Sequence, residues 1–146
     1  EELATGRSEF DIGPASPDDF SNRILLRVLI AGIETMAVLD TGSPYVVCPP
    51  HLLRLMDLSP KDSLDHISAF QIRGRTYPGN VYQLVVSFLA AEGLTLDVEA
   101  AVFVPEMMRP EEWGSLPMFI GLTGCLERMR FAVDSETQNF YFGLRN

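Results

Sequence analysis

The run Met36-Ala37-Val38-Leu39 ends in Asp40-Thr41-Gly42-Ser43, so a stretch of strand length and strand composition delivers a carboxylate at its end. A charged aspartate beside buried backbone is costly unless hydrogen bonds or a function hold it there. Upstream, Arg27-Val28-Leu29-Ile30 and Ile33 to Leu39 flank Ala31-Gly32, a pattern that predicts a β-hairpin ending at Asp40. Downstream, Tyr45-Val46-Val47-Cys48 is a second apolar run, closed by Pro49-Pro50. The Asp-Thr-Gly-Ser unit occurs once. A chemistry that needs two such carboxylates therefore needs two copies of the chain, whereas a plain turn with its aspartate capping local N–H groups needs one.

Short apolar runs separated by turn residues continue along the chain. Ile67 to Ile72 and Thr76 to Phe88 flank Arg73-Gly74-Arg75, a second predicted hairpin. A third turns at Glu92-Gly93 and runs through Leu94 and Val98 to Val104, and the segments Arg130 to Val133 and Asn139 to Phe142 predict a last one. His51 to Met56 has short helical character, Pro105 to Pro117 reads as an irregular loop anchored by Trp113, and Leu122 to Met129 as a short helical segment. Residues 1–22 are polar, contain Pro14 and Pro17 and show no sustained period, which predicts an N-terminal arm or linker with Phe10 and Phe20 as anchors. Residues 23–146 then form one domain. The expectation is an all-β fold, a barrel-like closed sheet of hairpins with one short helix in the C-terminal half.

Composition sets outer bounds. A chain of 146 residues with 47% hydrophobic residues is one folded domain rather than a disordered segment. Its formal net charge of −9 disfavours nucleic acid and anionic membrane surfaces, which need clustered positive charge. No apolar stretch reaches the ~20 residues of a membrane span. No signal-peptide pattern is recognisable and the chain does not begin with Met, as for a piece of something longer; localisation stays open. Cys48 and Cys125 match no metal or redox spacing and read as two buried free thiols, with a disulfide as the alternative. His51 and His66 have no partners at ligand or triad spacing. Glu111-Glu112 and Asp18-Asp19 read as solvated pairs, and Gly121 to Gly124 lacks the phosphate-loop pattern. No cofactor or metal is expected.

The order of these segments resembles the retropepsin-like aspartic proteases, the retroviral type and its cellular relatives. The likeness spans roughly residues 24 to 143, with Asp40 to Ser43 as its sharply diagnostic part. The resemblance implies a two-fold homodimer acting on polypeptide, with Asp40 of each subunit forming the catalytic dyad. Thr41 then bonds backbone across the two-fold axis, and Gly42 allows close approach and an unusual backbone angle. Ser43 donates to a carboxylate oxygen, which favours its ionised form and acidic working conditions. The hairpin tipped by Arg73, Gly74 and Arg75 is the candidate flap over the substrate, and Tyr77 helps to close the cleft. Pro117 and Phe119 fall where the family lines its substrate pockets, with Val38 beneath. An obligate dimer is expected to shield the strands around Phe140 to Phe142.

Two positions depart from the retroviral pattern, which has an aspartate after the Ser43 position and an arginine after the Gly121 position. Here these are Pro44 and Leu122, so that interface ion pair is missing as a unit, and Pro44 offers substrate no N–H. Three functions stay open: an aspartic endopeptidase, a retropepsin-like dimerisation or peptide-binding domain with weak catalysis, and a glycoside hydrolase using two carboxylates of one chain.

Overall fold

The computed structural model of the protein describes residues 4–145. In chain order its elements are β1 (Gly6–Glu9), β2 (Asp11–Gly13), β3 (Arg23–Ile30), β4 (Ile33–Leu39), β5 (Val46–Val47), helix α1 (Pro50–Leu55), β6 (Asp65–Ile72) and β7 (Arg75–Phe88). There follow β8 (Glu92–Gly93), β9 (Leu96–Pro105), β10 (Met118–Ile120), β11 (Met129–Asp134) and β12 (Asn139–Leu144).

Alternation along β3 decides the first hairpin. Leu26, Val28 and Ile30 are buried, while Arg27 points outward and pairs with Glu34 across the ladder at 3.1 Å. The two-residue turn between β3 and β4 has Ala31 at φ 47° and Gly32 at φ 81°, the left-handed pair that matches the twist of a tight hairpin. Arg73 and Gly74, at φ 50° and 80°, make the same kind of turn between β6 and β7. The larger sheet runs β2-β3-β4-β10-β5-β9-β7-β6 and closes, because β7 also pairs with β3 through Val28–Phe88, Leu29–Ser87 and Ile30–Val86. The fold is therefore the expected all-β closed sheet of hairpins. Closure encloses a core that includes Leu26, Val28, Ala100, Val102, Met118 and Ile120, with β2 and β6 left as edge strands.

A second sheet, β11-β12-β1-β8, caps this barrel. The predicted turn at Glu92-Gly93 lies inside a longer connection between β7 and β9, and these two residues pair with Arg7 and Gly6 of β1. Residues 6–13 thus differ from the expected polar arm. β1 is short and half polar, so its strand character comes from distant partners: Gly6 to Glu9 pair with Phe142 to Asn139 of β12. Phe10 is a buried anchor as expected, whereas Phe20 is fully exposed. Phe140 and Phe142 are buried within the single chain against each other and Phe88, so their shielding requires no second copy.

The helical content also shifts. The one α-helix among the described residues is α1, in the segment with short helical character, and it packs Leu52 into the core. The segment from Leu122 to Met129 is reduced to a single 3-10 turn, Leu126–Arg128, because Gly124 at φ 74° and the extended φ of Cys125, −137°, interrupt it. Cys48 and Cys125 are buried free thiols, and burial pushes both up to about 12. No helix of the described residues is long and apolar enough to cross a membrane.

Candidate active site

β4 runs out at Leu39, and β10 sets the path of the chain beyond it. β10 lies parallel to β4, with Met118, Phe119 and Ile120 opposite Ala37, Val38 and Leu39. The next backbone donor, Asp40 N–H, bonds the Ile120 carbonyl at 2.9 Å, and Leu122 N–H returns to the Ser43 carbonyl at 2.8 Å. The Asp40–Ser43 turn is thereby held on both sides by one strand end. Inside it, Ser43 N–H bonds the Asp40 carbonyl at 3.0 Å, and Gly42 N–H donates to Asp40 Oδ1 at 3.1 Å. Among the described residues Oδ2 accepts no hydrogen bond, so half of the carboxylate is free to meet a ligand or water.

Gly121 makes this packing possible for reasons of space. A Cβ on Gly121 would sit 2.0 Å from the Tyr45 carbonyl oxygen and 2.6 Å from that of Ser43. On Gly42 it would sit 3.3 Å from Asp40 Oδ1, yet Gly42 does not occupy the left-handed region, so the unusual backbone angle expected there is absent. The expected bond from Ser43 to the carboxylate is absent too. Ser43 is buried and its hydroxyl donates to the Tyr45 carbonyl at 2.8 Å, bracing the turn instead. Thr41 is exposed at the corner of the turn.

The turn opens on a cleft of about 230 Å³. Val38 and Phe119 stand side by side in it through the β4–β10 register, and Phe70 and Ile72 of β6 approach from the hairpin. Phe70 stacks on Phe103 with ring centroids 4.4 Å apart, and Trp113 meets Phe119 edge-on at 6.4 Å, so the apolar wall is braced from behind. Of the sequence candidates, Val38, Asp40, Gly42, Ser43, Arg73 and Phe119 line this cleft. Arg75 and Tyr77 line a neighbouring hollow with Trp113 and Leu116. Gly74 forms the hairpin turn, and half-buried Pro117 precedes β10 without lining the cleft.

Sequence reasoning missed Arg23, Phe70 and Ile72, which also line the cleft, and Asp19. The side chain of Asp19 is only 4% exposed. It accepts from Arg23 Nε at 3.1 Å, from Arg23 Nη2 at 3.3 Å, from Ala15 N–H at 2.8 Å and from Ser21 N–H at 3.1 Å. The Arg23 hydrogen bond, then the Ala15 N–H, hold its carboxyl far below the usual carboxylate range. Arg23 is raised in turn, chiefly by Asp19 and in small part by the charge of Asp40. Arg73 Nη2 lies 3.8 Å from Asp19 Oδ2, and the Arg73 guanidinium lies 5.4 Å from the centroid of the Phe119 ring. The tip of the β6–β7 hairpin is thus tethered to the segment before β3 and to the cleft wall. The only signal for this in sequence is Arg23 at the head of an apolar strand.

No protein-family model and no curated protein matches the chain in sequence. Solved structures do match it. A retropepsin-like aspartic protease from Rickettsia conorii aligns at a TM-score of 0.55 and 12% identity, over 93% of this chain and 90% of that one. The retroviral protease-like domain of Ddi1 from Leishmania major aligns at 0.50 and 13% identity, over 85% of this chain and 96% of that one. The fold of this chain is retropepsin-like. At such identities the likeness is one of fold, and the site has to be argued from its own residues. In this retropepsin-like barrel Pro44 lines the cleft and Leu122 is partly exposed beside the turn. Neither leaves a buried charge unpaired.

Proposed function

We propose that the protein is an aspartic endopeptidase, active as a homodimer in which Asp40 of each subunit contributes one carboxylate to a shared site. The observation that carries this is the Asp40 turn. Its backbone is tied to β10 on both sides, while among the described residues one carboxylate oxygen has no protein partner at the mouth of an apolar cleft. Asp40 is the sole carboxylate among the residues lining that cleft, which removes the basis for a two-carboxylate glycosidase within one chain.

Two carboxylates about 3 Å apart cannot both ionise cheaply and share one proton. The ionised one takes a proton from water as its oxygen attacks the scissile carbonyl carbon, while the protonated one donates to the carbonyl oxygen. Collapse of the resulting diol breaks the C–N bond and returns a proton to the leaving amine. The two aspartates exchange roles between subunits, and the pair titrates as a unit. Gly42 keeps space beside the carboxylate. Thr41, exposed on the turn, is the group able to bond the second subunit's turn across the axis. Val38 and Phe119 receive an apolar substrate side chain, and the β6–β7 hairpin covers an extended peptide.

A retropepsin-like binding domain with weak catalysis is the second reading. It is favoured by Pro44, which has no N–H to offer substrate, and by the Ser43 hydroxyl, which is committed to Tyr45 instead of Asp40. One experiment separates the two: digestion of an unfolded protein mixture across pH ~3 to ~7, the range that suits a shared-proton dyad. New termini are read by mass spectrometry for the wild-type chain and Asp40→Ala. Cuts at defined sites that vanish in the variant support the protease. Equal backgrounds with a dimer present favour the binding domain.

A further inference from the structure

The cleft has one apolar wall and one rim that carries two arginines. In a chain of net charge −9, Arg23 and Arg73 both line the cavity that holds Asp40. Asp19 and the cleft's own Asp40 stand against these two positive charges, and Arg75 and Glu112 share the neighbouring hollow with Arg73. Both oxygens of Asp19 are already engaged by Arg23, Ala15 and Ser21. Its distance to Arg73, 3.8 Å, is a charge contact beyond hydrogen-bond range. Among the described residues the Arg73 guanidinium therefore donates no hydrogen bond. It is nonetheless held in place, over the Phe119 ring on one side and against Asp19 on the other. Its side chain is 37% exposed, so an incoming group can reach it. A guanidinium positioned by an aromatic face, with its donors unspent, suits a carboxylate.

From this geometry we infer that Arg73 is a specificity-determining residue that selects peptides carrying a Glu or Asp side chain in the subsite beside Phe119, with Asp19 as its positioning residue. The inference rests on the reading of the cleft as a peptide site but not on cleavage itself. An acidic side chain entering next to Asp40 would be repelled by the dyad's charge, and the Arg73 guanidinium, with its donors unspent, offsets that penalty. A neutral isostere can accept a hydrogen bond from it but brings no charge to pair, and so gains less.

The test uses pools of eight-residue peptides in which each position is fixed in turn as Glu or Gln. Cleavage by the wild-type chain and binding to the Asp40→Asn chain, followed by fluorescence anisotropy, are measured in parallel. At pH ~5.5, where Glu is ionised, one position favours Glu over Gln by about tenfold in both measurements. That ratio falls to about one in Arg73→Met, falls partway in Asp19→Asn, and fades in the wild type below pH ~4 as Glu protonates. Arg54→Met, on α1 and outside the cleft, keeps it. No favoured Glu position in either measurement, or a ratio retained by Arg73→Met, overturns the inference. A Glu preference in binding without any cleavage by wild type keeps the inference and defeats the protease. Cleavage without a Glu preference does the reverse.

Discussion

Gly121 has no room for a side chain, since a Cβ there would press into the carbonyl oxygens of Tyr45 and Ser43 that brace the Asp40 turn. Gly121→Ala is expected to destabilise the fold by roughly 2–3 kcal/mol, as overpacking against backbone does, and urea denaturation measures it. Asp19 gives a prediction in pH. Its folded carboxyl is held below its ordinary range by Arg23, so its stabilising effect is complete above the unfolded value of about 3.9 and is lost as pH falls below it. The stability deficit of Asp19→Asn should therefore be largest near pH ~6 and narrow by pH ~3, as read from denaturation curves at the two values. The two aspartates also differ in how far sequence reveals them. Asp40 stands at the end of an apolar run and in a distinctive turn, whereas Asp19 looks like half of a solvated acidic pair. Its environment exists only once Ala15, Arg23 and Arg73 converge.

Elements are legible in sequence where local chemistry alone specifies them. Ala31-Gly32 and Arg73-Gly74 adopt left-handed turns, and the flanking runs alternate, so these two hairpins arise from the residues between and beside them. β1 is not legible, because a few half-polar residues become a strand only when partners from far along the chain, Asn139 to Phe142, lie beside them, and the three-residue β2 is too short to show a period before it pairs with β3. Composition suggests a helix in the C-terminal segment, but Gly124 in the left-handed region cuts it to one turn. β1 also carries a prediction at the scale of the element. Removing the residues before Asp11 takes away that strand and buried Phe10 and uncovers Phe142. It should cost about 3 kcal/mol or more and lower the thermal midpoint by roughly 10 °C. A true linker would come off with no change in melting.

At the scale of the whole molecule, one barrel presents one Asp40, in a cleft that the tip of the β6–β7 hairpin also lines. On the proposed reading this barrel, with its single Asp40, supplies half of a dyad, and the burial of Phe140 and Phe142 inside the chain would leave a dimer contact to other surfaces, the Asp40 turn among them. Activity of a site shared in this way should fall faster than in proportion to dilution once the dimer dissociates, which serial dilution with a fluorogenic peptide would read. The most direct measurement mixes wild-type chain with Asp40→Asn chain at constant total concentration, refolds them together, and tracks cleavage against the wild-type fraction. A dyad built from two copies predicts a squared dependence, with about one quarter of the activity left at equal parts. A linear dependence, with about half left at equal parts, would mean that each chain acts alone and would contradict a shared Asp40 site.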